Sequence, residues 1–163
     1  MTNTRVLIMN ALIAAVYAAL TMGLAPLSYG PVQIRISEFM TLLAFTNRKC
    51  VPGLVIGCFL ANFGSPFGLT DMVVGTFATF LAVYGMRFCS NLYTASLLPV
   101  ISNGVIIGLE LFFLAAIPAG LGSVLSVMGY IALGEFVSVS IVGILLIRLL
   151  LRNETIRNYL VES

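Results

Sequence analysis

The sequence predicts an all-α integral membrane protein with six transmembrane helices, of which the second and third are short, and a structured outer loop between the first and second. Apolar side chains make up 60% of the 163 residues, and only 9% of the residues are charged. A soluble domain carries about 25% charged residues. Six spans of about 20 residues would occupy most of the chain. This composition excludes a water-soluble globular protein, a nucleic-acid-binding protein and a disordered chain.

Four apolar runs are long enough to cross a hydrocarbon core of about 30 Å at a rise of 1.5 Å per residue. They cover residues 6–25, 71–88, 92–117 and 123–151. The first run follows Arg5, as the core of a secretory signal would, but it exceeds the usual length of about 7–15 residues for such a core. We therefore expect it to be retained as the first helix.

A further apolar stretch between residues 38 and 64 is interrupted by Asn47, Arg48 and Lys49 and restarts at Pro52. Proline is tolerated in the first turn of a helix, where its missing N–H leaves no hydrogen bond unmade. The pattern predicts a hairpin of two short spans. The expected spans form a single membrane domain with a cytoplasmic tail over 152–163, and they cover residues 5–25, 37–49, 51–64, 70–89, 92–117 and 123–151.

The basic residues predict the orientation of the chain. With six crossings, seven of the eight lysines and arginines fall on one face, which the positive-inside rule makes cytoplasmic. They are Arg5, Arg48, Lys49, Arg87, Arg148, Arg152 and Arg157. Both termini are therefore expected in the cytoplasm, and Arg35 is left on the outer side.

Four acidic residues and two amides converge on the outer half of the predicted bundle. They are Glu38, Asp71, Glu110, Glu135, Asn62 and Asn103. An ionisable residue in a membrane span is unfavourable and is a functional hypothesis by default. Asp71 follows Thr70 at a helix start, where complementing the helix dipole is an ordinary structural role. Glu110 and Glu135 have no nearby basic residue in sequence, which favours an external cation or a ligand with several N–H donors.

The connection over residues 26–37 is the only long outer loop. Tyr29, Gly30 and Pro31 mark a turn, and residues 32–36 alternate in polarity like a strand. We interpret this segment as a lid over the polar site, with Gln33 and Arg35 on one face. Three aromatic residues are candidates to stack on a flat ligand, namely Tyr29, Tyr130 and Phe136.

The first span carries small residues at four-residue spacing. Ala11, Ala15 and Ala19 form one row, and Ala14 and Ala18 form a parallel one. Small residues at this spacing let another helix approach closely. The pattern predicts contact with a partner protein, with the choice of row left open.

Several kinds of chemistry have no motif in this chain. Cys50, Cys58 and Cys89 lack paired spacing and the chain has no histidine, so we expect small buried side chains and no metal site. There is no nucleotide-binding GxxxxGK[ST], no HExxH and no GxSxG sequence. We therefore expect no enzyme activity, and energy for transport would come from a partner or a gradient.

The central block resembles a known family. Gln33-Ile-Arg-Ile-Ser-Glu38, Pro52-Gly-Leu-Val-Ile-Gly-Cys-Phe-Leu-Ala-Asn62 and Asp71-Met-Val-Val-Gly75 are similar to the QueT family. That family comprises small six-helix substrate-binding (S) subunits of energy-coupling factor (ECF) transporters. The resemblance extends from about residue 5 to residue 150.

The resemblance implies a bacterial plasma-membrane protein that captures a queuosine precursor, 7-aminomethyl-7-deazaguanine or a close relative, from outside. It also implies docking on a module of one membrane scaffold subunit and two ATPases, which use the ATP, so this chain needs no cofactor. Ala11, Ala15 and Ala19 match the family's docking face.

Combining the ligand with the polar residues gives a site hypothesis. One of the two acids Glu110 and Glu135 accepts the N–H donors on the edge of the ring, and the other binds the aminomethyl cation. The sequence does not decide which acid has which role. Asn103 and Asn62 orient the ring, and residues 35–38 close over it. Asp71 and Tyr130 complete the candidate binding residues.

Three other functions remain open at this stage. One is an ECF substrate-binding subunit for another vitamin-like ligand, although two buried acids argue against a carboxylate vitamin. The second is an autonomous proton-coupled or cation-coupled carrier in which Glu110 and Glu135 are protonation sites. The third is an intramembrane enzyme or a structural assembly subunit.

Overall fold

The computed structural model describes residues 3–30, 33–114, 116–118, 120–154 and 156–157. Throughout these ranges the regular structure is helical, without a strand. The principal helices are α1 (Asn3–Gly23), α2 (Ile36–Thr46), α3 (Val51–Ala61), α4 (Leu69–Phe88), α5 (Leu92–Phe113) and α6 (Leu121–Arg152). A single helical turn, Ala25–Ser28, follows α1, and the 3₁₀ segments Arg48–Cys50 and Asn62–Gly64 flank α3.

Four of these helices are long and apolar enough to cross a membrane, with 21 residues in α1, 20 in α4, 22 in α5 and 32 in α6. They confirm the prediction of a helical membrane protein built on four long apolar runs. The outer surface agrees, because large apolar side chains stand exposed on it, among them Leu7 (70% exposed), Leu69 (76%) and Phe113 (80%). Such a surface suits contact with lipid rather than water.

The two shorter helices, α2 and α3, lie where the sequence predicts a hairpin of two short spans, and both are shorter than expected. Helix α2 consists of seven residues of 3₁₀-helix and four of α-helix, and α3 has 11 residues. Asn47 ends α2 by adopting an extended conformation, and its side chain accepts a hydrogen bond from the Lys49 N–H at 2.9 Å. The turn is therefore stabilised by a side-chain cap.

The expected strand over residues 32–36 is wrong for the residues that are described. Gln33 to Arg35 have no regular structure, Gln33 has a positive φ of 48°, and 3₁₀-helix begins at Ile36. A strand requires a partner strand for its backbone hydrogen bonds, and the described residues provide none. Pro31 and Val32 lie outside them. The predicted alternation is still seen in the exposure of the side chains. Gln33, Arg35 and Ser37 are buried, and the residues between them are half-buried.

Glycines allow α1 and α3 to pack at very short range. A Cβ atom at Gly53 would lie 2.7 Å from the Asn10 carbonyl oxygen, and one at Gly57 would lie 3.0 Å from the Ala14 Cα. The Asn10 Oδ1 accepts a hydrogen bond from the Gly53 N–H at 2.6 Å. Close backbone approach through small residues is the ordinary way in which membrane helices associate.

Helix α6 is not α-helical throughout. Residues Phe136–Gly143 form a π-helical segment directly after Glu135. At the end of this segment a Cβ atom on Gly143 would lie 3.3 Å from the Phe39 Cα of α2. The π segment therefore packs against α2, the helix that carries Glu38.

Candidate functional site

Arg35 is the centre of the first polar cluster. The residue is 4% exposed, and its Nη2 lies 3.5 Å from the Asp71 Oδ2. The Nη1 donates to the Asn62 Oδ1 at 3.2 Å, and the Nε donates to the Ser28 carbonyl at 3.4 Å. Asn62 in turn donates to the Asp71 carbonyl at 3.1 Å. The turn after α1, the end of α3 and the start of α4 are thus joined through one guanidinium.

Glu38 occupies a second cluster between α1, α2 and α4. The Tyr17 hydroxyl donates to the Glu38 Oε1, and the Thr79 Oγ1 donates to the same oxygen at 3.5 Å. The Cys58 Sγ lies 3.3 Å from the Thr79 Oγ1. The Glu38 Oε2 is buried without a hydrogen-bond partner. Glu38 is therefore held in place by one of its oxygens while the other is free to accept.

Tyr17, Thr79 and Cys58 are site residues that sequence reasoning missed. Tyr17 carried a usable signal, because a tyrosine hydroxyl buried in an apolar helix needs a partner. Cys58 is fully buried, as expected, but it lies among polar groups rather than in a purely apolar core. Cys50 is fully buried as well, and Cys89 is half-buried.

Glu135 and Asn103 form a third polar contact, between α6 and α5. The Asn103 Nδ2 donates to the Glu135 Oε1 at 2.8 Å. The Glu135 side chain is 1% exposed, and its Oε2 is buried without a partner. Both residues lie at the interface where Gly104 packs against Ala132. The structure therefore brings together these two residues of the predicted site.

Glu110 stands alone. It is 6% exposed, and neither of its carboxylate oxygens has a hydrogen-bond partner. Asp71 and Arg35 lie within electrostatic range of it. Arg35 already directs its donors at other groups, so Glu110 is a buried carboxylate without a hydrogen-bonded cation.

The predicted aromatic residues separate into two groups. The Arg35 guanidinium lies over the Tyr29 ring, 5.8 Å from its centroid, and the Tyr29 hydroxyl donates to the Ala61 carbonyl. Tyr29 is therefore part of the site. Tyr130 is 53% exposed and Phe136 is 41% exposed, whereas the four acidic residues are buried.

The two alanine rows of α1 have different surroundings. Ala11, Ala15 and Ala19 are exposed, whereas Ala14 is buried against Gly57 and Ala18 is half-buried. The structure thus gives the Ala14 and Ala18 row to internal packing and leaves the other row on the surface.

The site as a whole has an imbalance of charge. Four carboxylates are buried, and Arg35 is the one buried cation among the described residues. Five buried carboxylate oxygens lack a partner, namely the Glu38 Oε2, the Asp71 Oδ1, both oxygens of Glu110 and the Glu135 Oε2. Buried charges require pairing. An excess of acceptors at this depth suits a ligand that is rich in N–H donors or positively charged.

Long apolar helices around a buried polar cluster define a membrane protein with a polar interior. The model of the family described as QueT transporter matches residues 7–152, so the chain belongs to this family. A relative is the "Queuosine precursor transporter QueT" of Lactococcus lactis subsp. cremoris (strain MG1363). It is 45% identical over 71 residues, which cover 42% of this chain and 41% of that protein. No solved structure matches.

Proposed function

We propose that this chain is the membrane-embedded substrate-binding subunit of an ATP-driven ECF-type uptake transporter and captures a 7-deazaguanine queuosine precursor from outside. The observation that carries the proposal is the excess of buried carboxylate oxygens around a single arginine in a chain of the QueT transporter family. The matched relative is named as a transporter of a queuosine precursor.

The chemistry of a 7-deazaguanine complements this excess. One edge of the ring carries an N–H and an amino group, which a carboxylate accepts as a pair. The ring carbonyl needs a donor, which Arg35 or a side-chain amide supplies. A 7-aminomethyl group is a cation and needs a carboxylate. This ligand therefore uses at least two of the four acids and relieves part of the imbalance.

The proposed partners are a membrane scaffold subunit and two ATPases. The exposed row of Ala11, Ala15 and Ala19 offers a smooth surface for a helix of the scaffold. The chain has no nucleotide-binding motif of its own, so the proposed mechanism assigns ATP hydrolysis to the partners and no catalysis to this subunit. The subunit would hold its ligand from outside and reorient when the ATPases drive the scaffold.

In this proposal α2 and α3 complete six crossings in a bacterial plasma membrane, and both termini are cytoplasmic. Single cysteines test the orientation after the native cysteines have been replaced. Thr70→Cys, at the start of α4, should react with an impermeant thiol reagent applied outside intact cells. Ser90→Cys, between α4 and α5, should react only after the membrane is opened. The opposite pattern would reverse the orientation.

Calorimetric titration of the detergent-purified protein with 7-aminomethyl-7-deazaguanine tests the ligand assignment. Guanine and a carboxylate vitamin serve as controls. We expect tight binding of the deazaguanine and much weaker binding of both controls. A folded sample that binds none of the three would refute the assignment of the ligand.

One observation favours a second candidate, a proton-coupled or cation-coupled carrier, because the unpartnered Glu110 is what a protonation site requires. Reconstitution of this chain alone into liposomes distinguishes the two. Uptake of the deazaguanine driven by a proton gradient without ATPases would support the carrier. Uptake that requires the module and ATP would support the ECF subunit.

A further inference from the structure

We propose that Glu110 is the residue that selects a positively charged amine on the ligand, whereas Glu135 together with Asn103 binds the donor edge of the ring. This inference rests on the proposed function and deepens it. The site then has two ends of different chemistry, and the end at Glu110 decides whether a charged or a neutral 7-substituent is preferred.

The two acids differ in what already binds them. Glu135 is oriented by the hydrogen bond that its Oε1 accepts from the Asn103 Nδ2 at 2.8 Å, while its Oε2 remains free. A carboxylate oxygen has two lone pairs, so the Oε1 can also accept a second donor. A fixed carboxylate of this kind is suited to accept two parallel N–H groups from a flat ring. Such recognition depends on orientation and not on a charge on the ligand.

Glu110 has the opposite properties. Neither oxygen accepts a hydrogen bond, although the residue is 6% exposed. Arg35 is within electrostatic range, but its donors are directed at Asp71, Asn62 and the Ser28 carbonyl. An ionised carboxylate in these surroundings lacks a counter-charge. A ligand ammonium supplies both the charge and several N–H donors, whereas a neutral substituent supplies neither.

The spacing along α5 places the two ends a ligand's length apart. Asn103 and Glu110 are seven residues apart, so they lie on the same face of the helix at a separation of about 10.5 Å along its axis. From its 2-amino nitrogen to its aminomethyl nitrogen, the deazaguanine measures roughly 7 Å by ordinary bond lengths. A hydrogen bond of about 2.8 Å at each end brings the total to about 12.6 Å, which is enough to bridge an axial separation of about 10.5 Å.

Arg35 supplies the third group, because it is the one buried cation among the described residues. In this proposal its guanidinium is the donor for the ring carbonyl. The three groups would then hold the amine, the donor edge and the carbonyl separately.

The test is a cycle of variants against ligands, with dissociation constants measured by calorimetry. The ligands are 7-aminomethyl-7-deazaguanine, its neutral 7-cyano analogue and unsubstituted 7-deazaguanine. The variants are Glu110→Gln and Glu135→Gln, and the control is Glu154→Gln, whose side chain is 83% exposed near the end of the chain.

The wild type and the control should prefer the amine. Glu110→Gln should weaken the amine at least tenfold and leave the neutral ligands within about threefold, so that the preference disappears. Glu135→Gln should weaken all three ligands by similar factors. Retained binding of the neutral ligands also shows that the Glu110 variant is folded.

Three results would overturn the assignment. The first is an equal loss of the charged and neutral ligands in Glu110→Gln. The second is a loss of preference in Glu135→Gln alone, which would exchange the two roles. The third is a wild type that binds the neutral ligands as tightly as the amine. A wild type that binds no deazaguanine would instead refute the proposed function. If Glu110→Gln does not fold, Glu110→Asp, which keeps the charge, should retain the preference for the amine, and its loss would count against the proposal.

Discussion

Replacing Gly57 with alanine is expected to destabilise the contact between α1 and α3. The new Cβ atom would lie 2.9 Å from the Tyr17 Cβ and 3.0 Å from the Ala14 Cα. Both neighbours belong to, or are directly attached to, the backbone of α1, so neither can swing away. The two helices would have to separate by about 0.5–1 Å to restore ordinary van der Waals contact.

The size of the effect follows from this overlap. Overpacking of a close contact costs about 1–3 kcal/mol. Gly129 is a matched control, because a Cβ atom there would meet nothing within 4 Å. Replacing a helical glycine with alanine gains about 0.5–1 kcal/mol at either position, so this gain cancels between the two variants. They should therefore differ by about 1–3 kcal/mol, or roughly 2–12 °C in Tm for a chain of this length.

A fluorogenic thiol reagent provides the assay. Cys50 and Cys58 are fully buried and become reactive when the bundle opens, whereas the half-buried Cys89 contributes a background signal. Tm is taken from the rise in fluorescence on heating in detergent. Gly57→Ala should melt below the wild type, and Gly129→Ala should melt at or slightly above it. Equal melting temperatures for the two variants would show that α1 and α3 are not packed as closely as described.

Two further predictions concern α1. Ala15→Leu should prevent copurification with the proposed ECF module, since the larger side chain would hold a scaffold helix away. Gly129→Leu, on another exposed surface, should not, and unimpaired copurification of Ala15→Leu would exclude this face as the proposed docking surface. Tyr17→Phe removes the hydroxyl that donates to Glu38, which should cost about 1–3 kcal/mol of stability and lower the Tm. The control Tyr130→Phe, at a 53% exposed position, should melt like the wild type, and equal Tm values for the two variants would argue against the buried hydrogen bond.

The long helices could be predicted because their signal is local. A run of about 20 apolar residues has few alternatives to a membrane span, and the four long runs correspond to α1, α4, α5 and α6. The predicted span over residues 92–117 extends past the end of α5, which lies at Phe113. Pro118 follows, and the residue before a proline is disfavoured in helix, which was the available signal for an earlier end.

The contacts within the site could be predicted only in part. The acidic residues could be predicted as site candidates, because a charged residue in an apolar run is rare. Their hydrogen-bond partners could not be predicted, because these partners are distant in sequence. Tyr17 and Glu38 are 21 residues apart, and Asn103 and Glu135 are 32 residues apart. Such contacts depend on how the helices pack and not on spacing along one helix.

The two alanine rows show the same limit. Both rows satisfy the four-residue spacing that favours close helix contact, so the sequence of α1 alone does not choose between them. The choice depends on Gly57 of α3, which has no side chain and so lets Ala14 and Tyr17 pack directly against its backbone. The row that contains Ala14 is therefore internal because a residue on another helix fits it.

The π-helical segment of α6 has a consequence for the phase of that helix. Its buried residues come in pairs, Gly134 with Glu135 and Ser138 with Val139, and the next pair, Gly143 with Ile144, follows at a wider interval of five residues. An α-helix turns about 100° per residue, so the extra residue keeps the two halves of α6 facing the same side. Deleting one residue between positions 136 and 143 would rotate the half of α6 that follows the π segment by that angle. Ile144 and Ile147 would then leave the core, and Arg148 would lose its hydrogen bond to the Tyr93 hydroxyl.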